Sequence, residues 1–250
     1  MKLPFNWPQN YQAAVSLTFD DGLPCHPQRV APLLESYDLR ATFYPPILSD
    51  VRLHPQNWQN MAQRGHELGN HTLFHPCRGK PEFDRPWLEP GYDLIGYNAR
   101  RWCDEIDAAN FTLTLLDGRT ERTFGNTCFE NTIGIGDSLT NLQPLIEQRF
   151  LAARGEHTRK PILPTQANLM NLGTFDIDGF SAAQVIDFIE TAFQYNQWLI
   201  FTMHGVGEGT HRLFIDTPQL EQVAAYLSTH RQTIWTAPLI EIARHVRDNR

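Results

Sequence analysis

The chain has 250 residues, a formal net charge of −7 and a sequence pI of about 5.8. This acidic balance, without a dense run of Lys or Arg, argues against nucleic-acid binding, which usually needs a basic face. No stretch approaches the ~20 apolar residues that a membrane-spanning helix needs. With 41% hydrophobic and 20% charged residues, the composition is that of a globular protein, and we predict one domain over residues 1–250.

The start of the chain and its cysteines both favour a reducing compartment. Residues 1–8 contain neither the apolar segment nor the small-residue cleavage site of a signal peptide, so we predict a cytoplasmic protein. The cysteines form neither a CxxC pair nor a disulfide framework. We therefore expect all four to be thiols, and they are Cys25, Cys77, Cys103 and Cys128.

Strand-like and helix-like segments alternate along the chain, which is the pattern of an α/β protein. The predicted strands are 13–19, 41–44, a short one within 66–71, 122–124, 151–154, 198–203 and 234–236. The predicted helices are 27–37, 57–64, 97–116, 142–150, 181–195 with Ser181 as its cap, one that begins at Thr217–Pro218, and one from Leu239. Residues 78–96 are predicted to be a long loop. Repeated βα units favour a barrel with its helices outside.

Three polar clusters stand where predicted strands end. Reactive groups collect at the carboxyl ends of the strands in a parallel βα barrel, so clusters that are distant in sequence can meet in space. We therefore expect one pocket to gather all three clusters, which are Asp20 with Asp21, His71 with His75, and His204.

The residue types in these clusters suit metal-assisted hydrolysis. His71 and His75 have i,i+4 spacing, so both imidazoles can reach one ion, and two His with one carboxylate form an open site for a divalent metal. His204 follows a very apolar strand, where an imidazole can act as a general acid. Each cluster alone also has a plainer interpretation: an exposed histidine pair, an acidic turn before Gly22, or a hydrogen-bonded core histidine.

Taken together, three segments resemble the motifs of the polysaccharide deacetylase family, also called carbohydrate esterase family 4 or the NodB-homology family. They are the TFDDG sequence at 18–22, the HTLFH sequence at 71–75 and the hydrophobic strand with its histidine at 199–205. The resemblance implies a distorted (β/α) barrel of about seven or eight strands. It also implies that Asp21, His71 and His75 bind the metal, with Asp20 as the general base and His204 as the general acid.

The resemblance further implies a hydrolase that removes acetyl groups from an N-acetylated or O-acetylated sugar or oligosaccharide. Zinc is the expected metal, and Co²⁺, Ni²⁺ and Mn²⁺ suit similar ligands. One alternative is an amidohydrolase that acts on a non-sugar amide. Another is a metal-binding carbohydrate-recognition protein without turnover. The sequence leaves the oligomeric state open.

The family's third motif normally carries Arg, Pro and Tyr, and we assign it to residues 122–128, which have Arg122 but neither Pro nor Tyr. We expect the backbone N–H of Gly125 or Asn126 to stabilise the oxyanion there.

The fourth motif supplies an acid that orients the late histidine. Asp176 and Asp178 are the candidates, and Asp178 equally suits a helix cap. Trp87 and Tyr92 are predicted to wall a sugar-binding groove.

Overall fold

The described part of the protein consists of twelve strands and eight α-helices, with short 3₁₀ and π turns between them. The computed structural model describes residues 5–80 and 85–250. In chain order the strands are β1 (Ala13–Asp20), β2 (Thr42–Tyr44), β3 (Glu67–Leu68), β4 (Thr123–Gly125), β5 (Thr132–Ile133), β6 (Thr140–Asn141), β7 (Ala152–His157), β8 (Leu172–Asp176), β9 (Trp198–Met203), β10 (Gly205–Val206), β11 (Phe214–Ile215) and β12 (Ile234–Thr236). The helices are α1 (Ala31–Ser36), α2 (Asp50–Leu53), α3 (Pro55–Gln63), α4 (Ala99–Asp117), α5 (Gln143–Glu147), α6 (Ala182–Gln194), α7 (Thr217–Thr229) and α8 (Leu239–Asn249).

Seven parallel strands form a curved sheet in the order β3–β2–β1–β9–β8–β7–β4, and β12 pairs with the beginning of β1. Just beyond β3, Asn70 forms a parallel bridge with Phe124 of β4, so the two edges of the sheet meet. Asn70 N–H donates to the carbonyl of Thr123, and Gly125 N–H donates to that of Asn70. This closure confirms the predicted distorted (β/α) barrel.

The central strands are apolar because both of their faces are covered. All eight residues of β1 and all six of β9 are buried. A parallel strand in this position reads as a continuous hydrophobic run. The main hydrophobic cluster packs these strands against the outer helices, with Val185 and Ile189 of α6 and Val223 of α7 among its members. Within the described ranges, no helix is long and apolar enough to cross a bilayer.

Most sequence-based elements lie close to their predicted positions. Helix α6 begins after Ser181, whose side chain accepts the N–H of Gln184, as predicted. The helix predicted over 27–37 begins as a π turn over His26–Val30 and continues as α1. Strand β8 was not predicted, because its LGTFD sequence contains a glycine and little hydrophobic alternation. Residues 81–84 of the predicted loop lie outside the described residues.

The prediction that all four cysteines are thiols is wrong for two of them. Cys77 and Cys128 form a disulfide, whereas Cys25 and Cys103 are free. The partners are 51 residues apart, so no local spacing reveals the bond. They meet because the chain segments after β3 and β4 are neighbours at the barrel closure. Disulfides persist mainly in oxidising compartments, and the cytoplasmic location stays a prediction.

Arg122, which we placed in the family's third motif, is a structural part of the barrel wall. Its guanidinium donates to both carboxylate oxygens of Asp117 at 2.6 and 2.8 Å, and to the carbonyl of Leu68 at 2.8 Å. The two charged side chains are only 2% and 1% exposed. This bidentate pair joins the end of α4 to the residue before β4, and neither side chain lines the pocket described below.

We expect Asp117→Ala to lower the free energy of unfolding by about 3–5 kcal/mol, because it leaves a buried guanidinium without its counter-charge. Urea unfolding followed by circular dichroism measures the change. The matched control is Asp104→Ala, which breaks the exposed Arg100–Asp104 pair, whose side chains are 87% and 64% exposed. That pair should contribute less than about 1 kcal/mol. Equal effects of the two substitutions would contradict the structural role of Arg122.

Candidate active site

A pocket of about 860 Å³ opens at the carboxyl ends of the barrel strands. All five residues singled out as catalytic or metal-binding line it, although up to 184 positions separate them in the chain: Asp20, Asp21, His71, His75 and His204. The three polar clusters of the sequence therefore meet in space, as the barrel pattern predicted.

A left-handed turn at the end of β1 brings two adjacent acids into this pocket. Neighbouring side chains on a strand point to opposite faces, but the chain leaves β1 at Asp21 with a φ of 73°, followed by Gly22 with a φ of 61°. A Cβ atom at Gly22 would lie 2.2 Å from Ser49 Oγ, so glycine is required there for space as well as for conformation. Both carboxylates consequently line one cavity.

Asp21, His71 and His75 form a cluster with the composition and spacing of a metal site. One ligand atom from each lies within 4.8 Å of the other two. Asp21 Oδ1 is 3.1 Å from His75 Nε2 and 3.7 Å from His71 Nε2. This oxygen is buried without a hydrogen-bond partner, which is unfavourable unless a cation satisfies it. Burial raises the pKa of Asp21, but the neighbouring His75 and His71 together hold it well below the usual range.

The orientation of His71 fits the same site. Its Nδ1–H donates to the carbonyl oxygen of Gly125 at 2.7 Å, so the lone pair of Nε2 faces the cluster. Such a second contact is what fixes the tautomer of a metal-binding histidine. His71 is 1% exposed, whereas His75 faces the open side of the pocket. The residues present therefore fit a divalent ion with an open coordination position.

Asp20 is held by a residue that sequence reasoning missed, Arg154 of β7. The Arg154 guanidinium donates to Asp20 Oδ1 at 2.5 Å and to the hydroxyls of Thr18 and Thr202 at 2.9 and 2.7 Å. Arg154 is 0% exposed. Its signal in the sequence was a single arginine that ends the apolar run 151–153, because a buried arginine needs an acidic partner.

The oxyanion donors predicted at 125 and 126 are not available. The N–H of Gly125 donates to the carbonyl of Asn70, and that of Asn126 donates to the carbonyl of Arg154. The Gly125 N–H is used at the barrel closure and the Asn126 N–H in the β4–β7 pairing, so neither is free to stabilise an oxyanion. His157, which follows Arg154 on β7, also lines the pocket.

Asp178, and not Asp176, orients His204. Its Oδ2 accepts from His204 Nδ1 at 2.5 Å, and its Oδ1 accepts the backbone N–H of His204 at 3.1 Å. Burial lowers the pKa of His204, but the hydrogen bond to Asp178 and the negative charges of Asp21, Asp178 and Asp20 raise it to about 9. Ser181 caps α6, so the cap role considered for Asp178 is wrong. Burial, with the charge of Asp178, raises the pKa of Asp176 to about 6.

Two further side chains define the pocket wall. Trp87 lines it, as predicted, with its ring 5.8 Å from that of His75. Tyr92 is not among the lining residues, because its ring stacks behind Phe74 with the centroids 4.8 Å apart. His211, which had no sequence signal, stacks on His204 at 5.4 Å with its Nε2 3.8 Å from Asp21 Oδ2.

The chain is similar to known polysaccharide deacetylases. The family model described as Polysaccharide deacetylase matches residues 9–124. A peptidoglycan-N-acetylglucosamine deacetylase from Bacillus cereus is 33% identical over 164 residues, which cover 49% of this chain and 58% of the relative. A chitooligosaccharide deacetylase from Sinorhizobium fredii is 36% identical over 80 residues, which cover 30% of this chain and 37% of the relative. The chain thus spans less than two thirds of each of these relatives.

Two solved structures share the fold. Peptidoglycan deacetylase PdaC from Bacillus subtilis superposes with a TM-score of 0.57 at 16% identity, covering 97% of this chain and 94% of that one. Puue allantoinase superposes with a TM-score of 0.66 at 15% identity, covering 99% and 94% of the two chains. At these identities the superpositions show the fold alone.

We expect Asp178→Asn to lower the pKa of His204 by about 1–2, because the substitution removes a charged hydrogen-bond partner but keeps its shape. The pH dependence of the His204 ring-proton NMR signals in metal-free protein measures it. Asp176→Asn is the matched control, since Asp176 has no hydrogen bond to His204 among the described contacts. An unchanged pKa in Asp178→Asn would contradict the assignment.

Proposed function

We propose that this chain, which belongs to the polysaccharide deacetylase family, is a metal-dependent hydrolase that removes acetyl groups from an N-acetylated sugar or oligosaccharide. The observation that carries the proposal is the convergence of an unsatisfied metal-binding cluster with one carboxylate and one protonated imidazole in a single pocket. The relatives that are named as deacetylases act on peptidoglycan and chitooligosaccharides, which supports a sugar amide as the substrate class.

Asp21, His71 and His75 would hold the ion, with zinc as the expected metal and Co²⁺, Ni²⁺ or Mn²⁺ as alternatives. When bound, the metal polarises the acetyl carbonyl and makes water more acidic. The chain's own contribution is a rigid ligand set. The carbonyl of Gly125 accepts the Nδ1–H of His71 and thereby orients its ring, and the left-handed turn at Gly22 fixes the position of Asp21.

Asp20 is the proposed general base. Its carboxylate lines the pocket next to Asp21, and it is anchored on one side by Arg154. The anchored oxygen, Oδ1, is engaged by the guanidinium, so Oδ2 is the atom that would take a proton from the attacking water. Because Arg154 also binds Thr18 and Thr202, the base cannot rotate away from the pocket.

His204 is the proposed general acid. With a pKa of about 9 it carries its proton at neutral pH, and Nδ1 is engaged by Asp178, so Nε2–H is the donor. An amine leaving group needs that proton as the C–N bond breaks, whereas a stable phenolate does not. A protonated His204 therefore suits the hydrolysis of an amide, whose amine leaving group must gain a proton, whereas an activated ester does not require it.

Acetate release from a panel of N-acetylated and O-acetylated sugars tests the proposal. After metal removal we expect no release, and after zinc is added back we expect release that is at least about 100-fold slower in Asp20→Asn, because that variant lacks the base. Zinc binding is measured alongside, because Asp20→Asn also removes the counter-charge of the buried Arg154, and only a variant that still binds zinc reports on the base.

Asp104→Asn is the matched control, because Asp104 is exposed on α4 and should leave the rate unchanged. Metal-dependent release from O-acetylated sugars alone would reassign the activity to an esterase. If zinc binds but no sugar in the panel releases acetate, the remaining explanations are a non-sugar amide substrate or carbohydrate recognition without turnover. That result would overturn the proposal.

A leaving-group comparison tests the role of His204. We expect His204→Gln to slow N-acetyl-sugar hydrolysis by about 100-fold or more, and 4-nitrophenyl acetate hydrolysis by much less, because 4-nitrophenolate leaves without protonation. Parallel steady-state kinetics on the two substrates give the comparison. Equal losses would mean that His204 does not act as the acid.

A further inference from the structure

A second cluster of metal-binding side chains lies directly behind the first. His75 offers its Nε2 to Asp21, while its Nδ1 faces the disulfide, 3.7 Å from Cys77 Sγ. One ligand atom from each of His75, Cys77 and Cys128 lies within 4.8 Å of the other two. We propose that, once the disulfide is reduced, Cys77, Cys128 and His75 form a second metal site that competes with Asp21 and His71 for the His75 imidazole.

The backbone keeps both cysteines in place whether or not they are bonded. Cys77 N–H donates to the carbonyl of Tyr92 at 3.3 Å, and Leu94 N–H donates to the carbonyl of Cys77 at 3.0 Å. The hydroxyl of Thr127, next to Cys128, donates to the carbonyl of Pro76. Reduction therefore frees the two sulfur atoms without freeing the segments that carry them.

The required movement is small. In a tetrahedral zinc site with Zn–S distances of ~2.3 Å, two sulfur atoms stand ~3.8 Å apart, so they must separate by less than ~2 Å from a disulfide. Cys77 is fully buried, but Cys128 lines the main pocket, so a reductant and an ion reach the cluster through that pocket. Two thiolates neutralise a divalent ion, which suits the poorly solvated position of Cys77.

A dithiol reductant supplies the two electrons that reduction of the disulfide requires. The dithiol transfers two electrons to the Cys77–Cys128 bond through a mixed disulfide and is itself oxidised to a cyclic disulfide, while the protein gains two thiols. A divalent ion then displaces the two thiol protons on binding. Soft thiolate ligands favour zinc at this site over harder ions such as Mn²⁺.

Competition follows from the chemistry of one imidazole ring. A neutral imidazole has a single nitrogen lone pair, so His75 can serve the Asp21 cluster through Nε2 or the thiolates through Nδ1, but not both. The competition rests on the proposed metal centre, whereas the thiolate site itself does not. The structure thus couples the state of one disulfide to the ligand set of the pocket.

Cobalt titration tests the proposal on the full chain. In oxidised protein, Co²⁺ should bind without sulfur-to-cobalt charge-transfer absorption. In protein reduced with excess dithiol and then freed of it without oxygen, that absorption should appear and saturate at one Co²⁺ per chain. Cys128→Ser should abolish it, and Cys103→Ser is the matched control, because Cys103 is a free cysteine outside the cluster.

A His71→Ala variant separates this proposal from the proposed function. It weakens the Asp21 cluster but leaves the thiolate site whole, so the reduced variant should retain the full charge-transfer band. Reduced wild-type protein that binds Co²⁺ without this band would overturn the second site, whatever the result of the acetate assays. A band that persists in Cys128→Ser would overturn it as well.

Discussion

The Arg154 guanidinium inside the barrel is the constraint on which the pocket depends. A charge buried this completely is stable only with a counter-charge and with hydrogen bonds for its remaining donors. Asp20 supplies the counter-charge, and Thr18 and Thr202 accept hydrogen bonds. These partners stand on β1 and β9, so one side chain from β7 fixes three strands relative to one another. The strand ends that carry Asp21 and His204 are placed by the same contacts.

Three residues just beyond the strand ends have a strained, left-handed backbone. Asp21, Thr72 and His75 have φ values of 73°, 71° and 57°. Left-handed backbone at non-glycine residues costs of order 1–3 kcal/mol each and persists only where the surroundings determine it. Here the turns are held by hydrogen bonds such as Thr72 N–H to Asn70 Oδ1 and His75 N–H to Thr72 Oγ1. These turns bring one candidate ligand atom each from Asp21, His71 and His75 within 4.8 Å of one another.

The residues that could be predicted from sequence are those whose chemistry is visible in a short segment. Asp20 and Asp21 end an apolar strand, and His71 and His75 have i,i+4 spacing, so the local sequence makes them candidates, while the roles proposed for them come from the family resemblance. Arg154 needed tertiary information, because its partner lies 134 positions away. The alternation of strand-like and helix-like segments predicted the barrel. Strand β8 could not be predicted, because pairing with its neighbours, and not its own composition, makes it a strand.

The segment at the end of β4, from Gly125 to Cys128, lies near the pocket as predicted, but its backbone N–H groups do not have the predicted role. Its assignment to the family's third motif suggested oxyanion donors at Gly125 and Asn126, but the barrel closure uses the first N–H group and the β4–β7 pairing uses the second. What remains facing the metal cluster is the carbonyl of Gly125, which orients His71, and Cys128, whose disulfide partner contacts His75. The segment therefore orients His71 directly, whereas His75 is contacted by Cys77 from the segment after β3. Since such outer contacts set ligand basicity and ring orientation, this segment orients the candidate metal ligand His71, and its N–H groups at 125 and 126 are already engaged elsewhere.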